Sequence, residues 1–499
     1  MSASMIIIGA GLAGLTAGCY GQMHGYRTRV VELHDKPGGM CTAWQRKGYT
    51  FDGCVHILTG IAPESAYYPL WQDLGVIPQV PMCYYDESVR IEDSDGRALT
   101  LYADLDRVEE ELHALSPVDS AAIGAYVRAV RQFEALRPFE LSLLSPMRAL
   151  RTVVPHLGAL IGSVRATQGA YAERFRDPFL RRALPYIQYS IPEAPMLAHL
   201  GIYSQITGRT GGWPAGGSLA LARAMERRYL DLGGEIRYRA RATRVIVEND
   251  RAVGVRLEDG SEERAEVVVS AGDGRSTIFD LLGGEYADER LRRYYASPSA
   301  MQQFGVHVSL GVARDLSHEP HALTLLLDEP VVLGGQPHDR LDVEIYAFDP
   351  GMAPPGKTAV KVAIDGRYDY WKDLAKDPTR YRKDKDRLAE AVIERLDARF
   401  PGLRADVEVV DVATPLTTER YTANWRGLQP WSPPGNPLLG MVRGVSRTLP
   451  GLAGFHMVGQ WAEGMLGIPT AVSSGRDLIR RLCRRDGRPF VSDADRVTQ

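Results

Sequence analysis

The sequence predicts an α/β protein in which a Rossmann-type domain is interrupted by an inserted α+β domain of antiparallel sheet and helices. Three observations predict it: a β-branched run enters a glycine loop near the start of the chain, a second strand-and-glycine pattern stands near its end, and the long stretches between are helical in pattern first and strand-rich later. At 499 residues the chain is too long for one ordinary core, and 44% apolar content is ample to fill two.

The glycine loop comes first. Ile6, Ile7 and Ile8 suit a buried parallel strand, and Gly9, Gly11 and Gly14 follow at GxGxxG spacing. The first glycine permits a tight turn, the second lets backbone approach a pyrophosphate, and the third allows close helix–strand packing. From Leu12 and Ala13 to about Gln22, small and apolar residues suit a helix whose N-terminus, carrying about +0.5 of an elementary charge, faces the phosphates. A second β-branched run, Arg29-Val30-Val31, ends in Glu32, with Leu33 beyond it. A carboxylate about twenty residues after the loop binds the two ribose hydroxyls of an adenosine. The loop alone does not separate NAD from FAD.

The residues beyond Glu32 make that distinction. Pro37-Gly38-Gly39-Met40 is succeeded by Gly48-Tyr49-Thr50-Phe51-Asp52-Gly53. Here the sequence resembles the phytoene desaturase, carotenoid isomerase and retinol saturase group of FAD-dependent oxidoreductases, within the amine-oxidase-like flavoproteins. The resemblance implies a Rossmann-type FAD-binding domain, with Gly38 and Gly39 along the FAD pyrophosphate and the "GYxFDxG" stretch beside the flavin. It departs at Met40, where many members carry an arginine near the phosphates.

The far end supports FAD independently. Gly454 to Gly459 reads as a short strand ending in glycine, followed by Gln460, and Gly467-Ile468-Pro469 reads as a helix start, where the missing N–H of a proline costs nothing. Such a helix aims N–H groups at an anion; the resemblance points it at the flavin N1–C2=O edge, which becomes negative on reduction. Many relatives carry an acid where Gln460 stands.

In the middle, Gly211 to Ser218 is turn-rich, and Ser218 is expected to cap a helix through Leu230 that Gly233-Gly234 ends. Strands at 243–247 and 252–257 join across Asn249-Asp250, and Asp259-Gly260 turns toward Val267-Val268-Val269. The resemblance places this ribbon in the FAD domain and has the residue matching Val245 meet the adenine through its backbone. The expected organisation is discontinuous: 1–83, 211–285 and 441–499 bind FAD, while 84–210, mostly helical, and 286–440 build the substrate domain. The latter has strand candidates at 303–312, 322–327, 342–348 and 358–364, then a helix with Leu388, Val392, Leu396 and Phe400 on one face and Pro401-Gly402 as its stop.

Composition narrows the partners. A net charge of −3 gives no reason to expect nucleic acid. Five cysteines, an odd number without a CxxC pair, argue against a disulfide framework or a metal site and fit a reducing compartment. No secretory signal precedes the loop, so the expected location is the cytoplasm. The apolar stretch 141–162 is broken by prolines and arginines and falls short of the ~20 residues that span a bilayer. Helical packing around a cavity explains it, and so does peripheral membrane docking as a portal for a greasy substrate. No second GxGxxG with a downstream acid appears, so the electron acceptor or donor is expected from outside: oxygen, a quinone or another carrier.

Three side chains are the catalytic candidates. His56 comes just after the "GYxFDxG" stretch, where an imidazole can move a proton at neutral pH. Trp461 and Glu463 stand between the C-terminal strand and the flavin-facing helix, and a buried carboxylate there would have a raised pKa. Packing in the cavity wall, or solvation for Glu463, is the bland alternative. Cys54 is by default a small buried hydrophobe. Arg420, Trp425 and Trp431 form another family-like stretch that either shapes the cavity or simply packs. The expected protein is an FAD oxidoreductase acting on C=C or C–C bonds of a hydrophobic isoprenoid- or lipid-like substrate, by desaturation, saturation or isomerisation. A flavin amine oxidase acting on C–N bonds is one alternative; a flavin-free binder of prenylated proteins, as in Rab GDP-dissociation inhibitors, is another. The oligomeric state is left open.

Overall fold

The computed structural model describes residues 3–186, 192–296, 305–427, 446–462 and 467–492. Its first body is a parallel sheet assembled from three separate stretches of chain. β1 (Ser4–Ile8), α1 (Leu12–Met23) and β2 (Arg27–Val31) come first; α2 (Gly217–Asp231), β3 (Glu235–Arg237) and β4 (Val267–Ser270) are next; β5 (Phe455–Met457) and α3 (Ile468–Arg485) complete it. The strand order is β3-β2-β1-β4-β5, every pair parallel.

Alternation along the strands decides what covers each face. Met5, Ile7 and Val30 pack with Leu15, Leu221 and Ile479 of the three helices, whereas Ile6, Val31 and Val268 face the opposite side against Val245, Val255 and Leu257. That second layer is a three-stranded antiparallel ribbon, Ala242–Glu248, Arg251–Leu257 and Glu262–Arg264. Both faces are thus buried, as a parallel sheet requires. α1 is enclosed all round, buried from Leu12 to Gly21.

The second body is a seven-stranded sheet in the order Val407–Ala413, Val306–Val312, Thr358–Ile364, Gln336–Ile345, Ala322–Leu333, Glu87–Glu92, Ala98–Tyr102. All neighbours are antiparallel except Ala322–Leu333 with Glu87–Glu92. Helix Pro378–Arg399 covers it with Leu388, Val392 and Leu396, and Phe400 is buried with them, as their spacing predicts. A bundle including Leu105–Leu115, Ser120–Leu136 and Met196–Thr207 packs against the hairpin formed by Glu87–Glu92 and Ala98–Tyr102.

Several local expectations are corrected. The stretch expected to be mostly helical opens with the hairpin Glu87–Tyr102; its buried Val89, Ile91, Leu99 and Leu101 alternate, but the charged residues between them mask the strand period. The strand expected to reach Phe348 ends at Ile345, where a 3₁₀ turn takes over. Ser218 does not cap α2. The cap is Gly216, and the Ser218 hydroxyl instead donates to the fully buried Asp52 at 2.7 Å.

Candidate active site

Glycine loop, acid and both later motifs stand at the carboxyl ends of the parallel strands, where ligands of open α/β sheets bind. Gly9 comes after β1, Glu32 after β2, Asp273 lies just past β4 and Gly459 just past β5. A Cβ on Gly14 would come within 2.0 Å of the Gly9 carbonyl oxygen, so α1 can lie against the loop only with glycine there. Gly11 is different: a Cβ there would meet nothing nearer than the Gly38 oxygen at 3.9 Å. The protein leaves that space to something else, which is what a pyrophosphate requires. Gly38 bridges Gly11 as an extra short strand pairing and donates to the Ala10 carbonyl at 2.9 Å.

Glu32 is 5% exposed. One carboxylate oxygen accepts from the Ala10 N–H at 2.7 Å, the other from the His34 N–H at 2.8 Å. Burial pushes its carboxyl up, while these backbone donors pull it back. The Leu33 N–H also points at this carboxylate, and the acceptor capacity that remains is what a ribose hydroxyl would use.

Around these groups runs a cleft of ≈ 570 Å³. Gly9, Gly11, Leu12, Ala13, Glu32, Leu33, Gly38, Gly39 and Met40 line one part, and Gly459, Gln460, Trp461, Gly467 and Ile468 the other. Two helix starts open into it, with Gly11 and Gly467 as caps and no capping side chain at either. They are held side by side because α3 crosses α1 at Gly475, where a Cβ would lie 2.6 Å from the Ala13 oxygen. Val245 is buried and borders a separate hollow; Ala240, Arg241 and Ala242, which lead into its strand, line the cleft.

Asp273 is a cleft residue that sequence reasoning missed. It is buried, accepts from the Ser276 N–H at 2.7 Å, and burial pushes its carboxyl up to about 7. The available signal was an acid between two glycines, Gly272-Asp273-Gly274, directly after a parallel strand. Arg420 and Trp425 also border the cleft, and the Arg275 guanidinium lies 5.3 Å from the Trp425 ring centre.

A second cavity of ≈ 270 Å³ meets the cleft along Cys54, Gly467 and Ile468, which line both. Its wall is largely aromatic and aliphatic: Tyr85 stacks on His321 with centres 3.9 Å apart, Trp213 lies 5.5 Å from both Tyr346 and Phe348, and Ile57, Phe139, Ile202 and Pro469 fill between them. His56 borders this cavity with its side chain 45% exposed. Trp461 is buried and borders the dinucleotide cleft, whereas His56 borders the second cavity, so these two catalytic candidates line different parts of the adjoining spaces. Glu463 and Trp431 lie outside the described residues.

A charged cluster stands behind His56. Its Nδ1 is hydrogen-bonded to Glu344, whose carboxylate also accepts from Tyr346 and lies 2.5 Å from the Lys361 ammonium. Burial alone would raise the Glu344 carboxyl, but Lys361 and His56 together hold it well below the usual carboxylate range. Burial pushes the neighbouring His307 and His321 down to about 3 and about 4, so both stay uncharged at neutral pH.

Comparison with known proteins agrees with this geometry. The model of the flavin containing amine oxidoreductase family matches residues 12–478. The chain is 26% identical over 462 residues to the chloroplastic prolycopene isomerase of Arabidopsis thaliana, covering 87% of this chain and 76% of that protein. It is 28% identical over 438 residues to a lycopene-forming phytoene desaturase of Paracoccus sp., covering 82% and 83%. Among solved structures, putrescine oxidase with bound putrescine superposes with a TM-score of 0.60 at 14% identity, covering 97% of this chain and 100% of that one, a likeness of fold.

Proposed function

The chain belongs to the flavin containing amine oxidoreductase family and is an FAD-dependent oxidoreductase, and from that premise we propose that it adds, removes or rearranges C=C bonds in a hydrophobic isoprenoid- or lipid-like substrate. The observation that carries the reading is the junction of the two cavities: a predominantly apolar chamber shares Cys54, Gly467 and Ile468 with the cleft that suits FAD. An apolar chamber with few polar groups orients a greasy chain by shape. On this reading Glu32 holds the adenosine ribose, Gly11, Gly38 and Gly39 flank the pyrophosphate, and the start of α3 faces the flavin edge. Bound FAD supplies the two-electron chemistry, accepting or returning a hydride. The protein's own part is to dock the chain, exclude water and move one proton, for which His56 is placed at the cavity.

Delivery of such a substrate fits a second surface. Residues 146–165 bury only Ser163 and expose Met147, Leu150, Val154, Leu157 and Ile161. They carry Arg148, Arg151 and Arg165, and no acidic residue occurs from 141 to 172. Among the described residues no helix is long and apolar enough to cross a membrane. This face reads as a peripheral contact with anionic lipid. It predicts co-sedimentation with phosphatidylglycerol vesicles that fades as salt rises; equal recovery with neutral vesicles would count against it.

The decisive experiment is a visible spectrum of the purified protein, then anaerobic mixing with phytoene, prolycopene or putrescine. Flavin bands are expected, with bleaching of oxidised flavin by phytoene, or conversion of prolycopene by the reduced enzyme without net oxidation. Bleaching by putrescine alone would move the activity to C–N bonds. A protein that stays colourless after FAD is added would overturn the reading.

A further inference from the structure

The cluster behind His56 is not a chance meeting of polar groups. Glu344, Lys361 and Ser309 lie directly opposite one another on three adjacent strands, so one row of the seven-stranded sheet presents them on the same face. Lys361 on that face reaches the segment 52–56, donating to the Asp52 carbonyl at 3.3 Å, and Tyr85 donates to the His56 carbonyl at 3.0 Å.

The two oxygens of Glu344 are divided between different tasks. Oε2 takes the Lys361 ammonium at 2.5 Å and the Tyr346 hydroxyl, while Oε1 is given to His56 Nδ1. Lys361 is 1% exposed and the Glu344 side chain 9%. A buried ion pair of this kind is weak evidence for stability, because desolvation offsets most of its attraction and apolar residues of the same volume often do as well. Its contribution is instead a fixed anion, aimed at one nitrogen of a half-exposed imidazole. A carboxylate that accepts from Nδ1–H selects that tautomer and leaves the lone pair on Nε2.

We infer that Glu344 is a positioning residue for proton transfer at His56: it holds the imidazole as the Nδ1–H tautomer, so that Nε2 is the atom that takes or gives the proton at the apolar cavity. The inference rests on the proposed C=C chemistry, in which making a double bond removes a hydride from one carbon and a proton from its neighbour. With FAD bound, the hydride would carry its electron pair to the oxidised flavin, the proton would go to Nε2 of His56, and the electrons left by the second C–H bond would form the new π bond. Saturation runs the same balance backwards. Lys361 and Tyr346 act one step further out by keeping Glu344 ionised and oriented.

The test uses the FAD-bound protein with ¹⁵N-histidine, the His56 signal being assigned by its loss in His56→Gln. Two-bond ¹⁵N–¹H correlations are expected to show Nδ1–H in the wild type, and Nε2–H or a mixture in Glu344→Gln. In turnover of phytoene, Glu344→Gln and His56→Gln should each lower kcat about 10²–10⁴-fold with KM little changed. The double variant should be no worse than His56→Gln alone, because groups that act as one unit are not additive. Glu344→Gln strands the Lys361 charge, so Glu344→Gln with Lys361→Met is made in parallel to keep a folded protein in hand. A wild-type His56 in the Nε2–H form, a tautomer unmoved by the loss of Glu344, or a double variant that loses the product of the two single effects would each overturn the inference. A normal flavin spectrum with an insensitive tautomer sinks this inference alone, whereas absent flavin sinks the C=C chemistry beneath it.

Discussion

The cleft and the cavity share a wall at Cys54, Gly467 and Ile468, yet they are made of different things. The cleft is chiefly backbone: a glycine turn, two helix starts and a carboxylate whose orientation is set by main-chain N–H groups. The cavity is side chains: rings from widely separated parts of the chain and a buried ion pair on a sheet face. Backbone sites impose steric rules that few residues satisfy, so they tolerate little change. Side-chain sites impose volume and polarity, which many combinations meet, and they can change substrate without changing fold.

The largest effect should come from the glycine that serves the fold. Gly14→Ala places a Cβ 2.0 Å from a main-chain oxygen that has nowhere to go. A loss of at least about 3 kcal/mol is expected, seen as a large drop in Tm together with loss of bound FAD. Gly11→Ala should separate the two properties. Its φ of −65° and ψ of 168° suit alanine, and the apo protein should melt no lower than wild type, or gain about 0.4–1 kcal/mol. FAD affinity should nevertheless fall roughly 10–100-fold, the cost of about 1–3 kcal/mol of overpacking against the pyrophosphate. Equal losses of stability in the two variants would erase the distinction between them.

This asymmetry also explains what could be read in the sequence. The glycine spacing, Glu32 and the Gly467 helix start were legible because each is a local rule within one strand–turn–helix unit. His56 was legible as a histidine near the flavin stretch, but its partner was not: Glu344 lies 288 positions away and meets it only because a sheet register sets Glu344 opposite Lys361. Trp461 and His56 line different members of two adjoining cavities, and sequence proximity to a motif does not say on which side of Ile468 a ring falls. Ser218 shows the same limit: it has the composition of a helix cap, but Asp52 claims its hydroxyl.

A substitution confined to the side-chain site should leave the backbone site alone. Ile202 lines the apolar cavity, on helix Met196–Thr207, and does not border the cleft. Ile202→Trp fills space that the substrate chain needs. Flavin content and spectrum should stay as in wild type, while the apparent affinity for phytoene falls about tenfold, read as a rise in KM or in the concentration that half-bleaches the flavin. Loss of flavin in this variant would mean that the two sites are one mechanical unit.

The smallest effect is the one that compares the sites most directly, because each contains a buried carboxylate and burial acts on both alike. Asp273 in the cleft has only neutral hydrogen-bond donors and a partly screened arginine to offset it, and stands at about 7. Glu344 in the cavity has Lys361 and His56, and is held well below its ordinary range. Their signs in a pH titration of stability therefore oppose. The native state holds the Asp273 proton more tightly than the unfolded chain does, so its contribution is fully present below about pH 4 and is lost as pH rises toward 7. Glu344 contributes above the ordinary carboxylate range, and that contribution is lost as pH falls. Asp273→Asn keeps an acceptor for the Ser276 N–H and removes the titration. The Tm of wild type minus that of Asp273→Asn should fall by a few degrees between about pH 4 and 7, and the same difference for Glu344→Gln should rise as pH climbs through the carboxylate range. Parallel curves for the two variants would mean that burial, not the partner, sets the charge state of both groups.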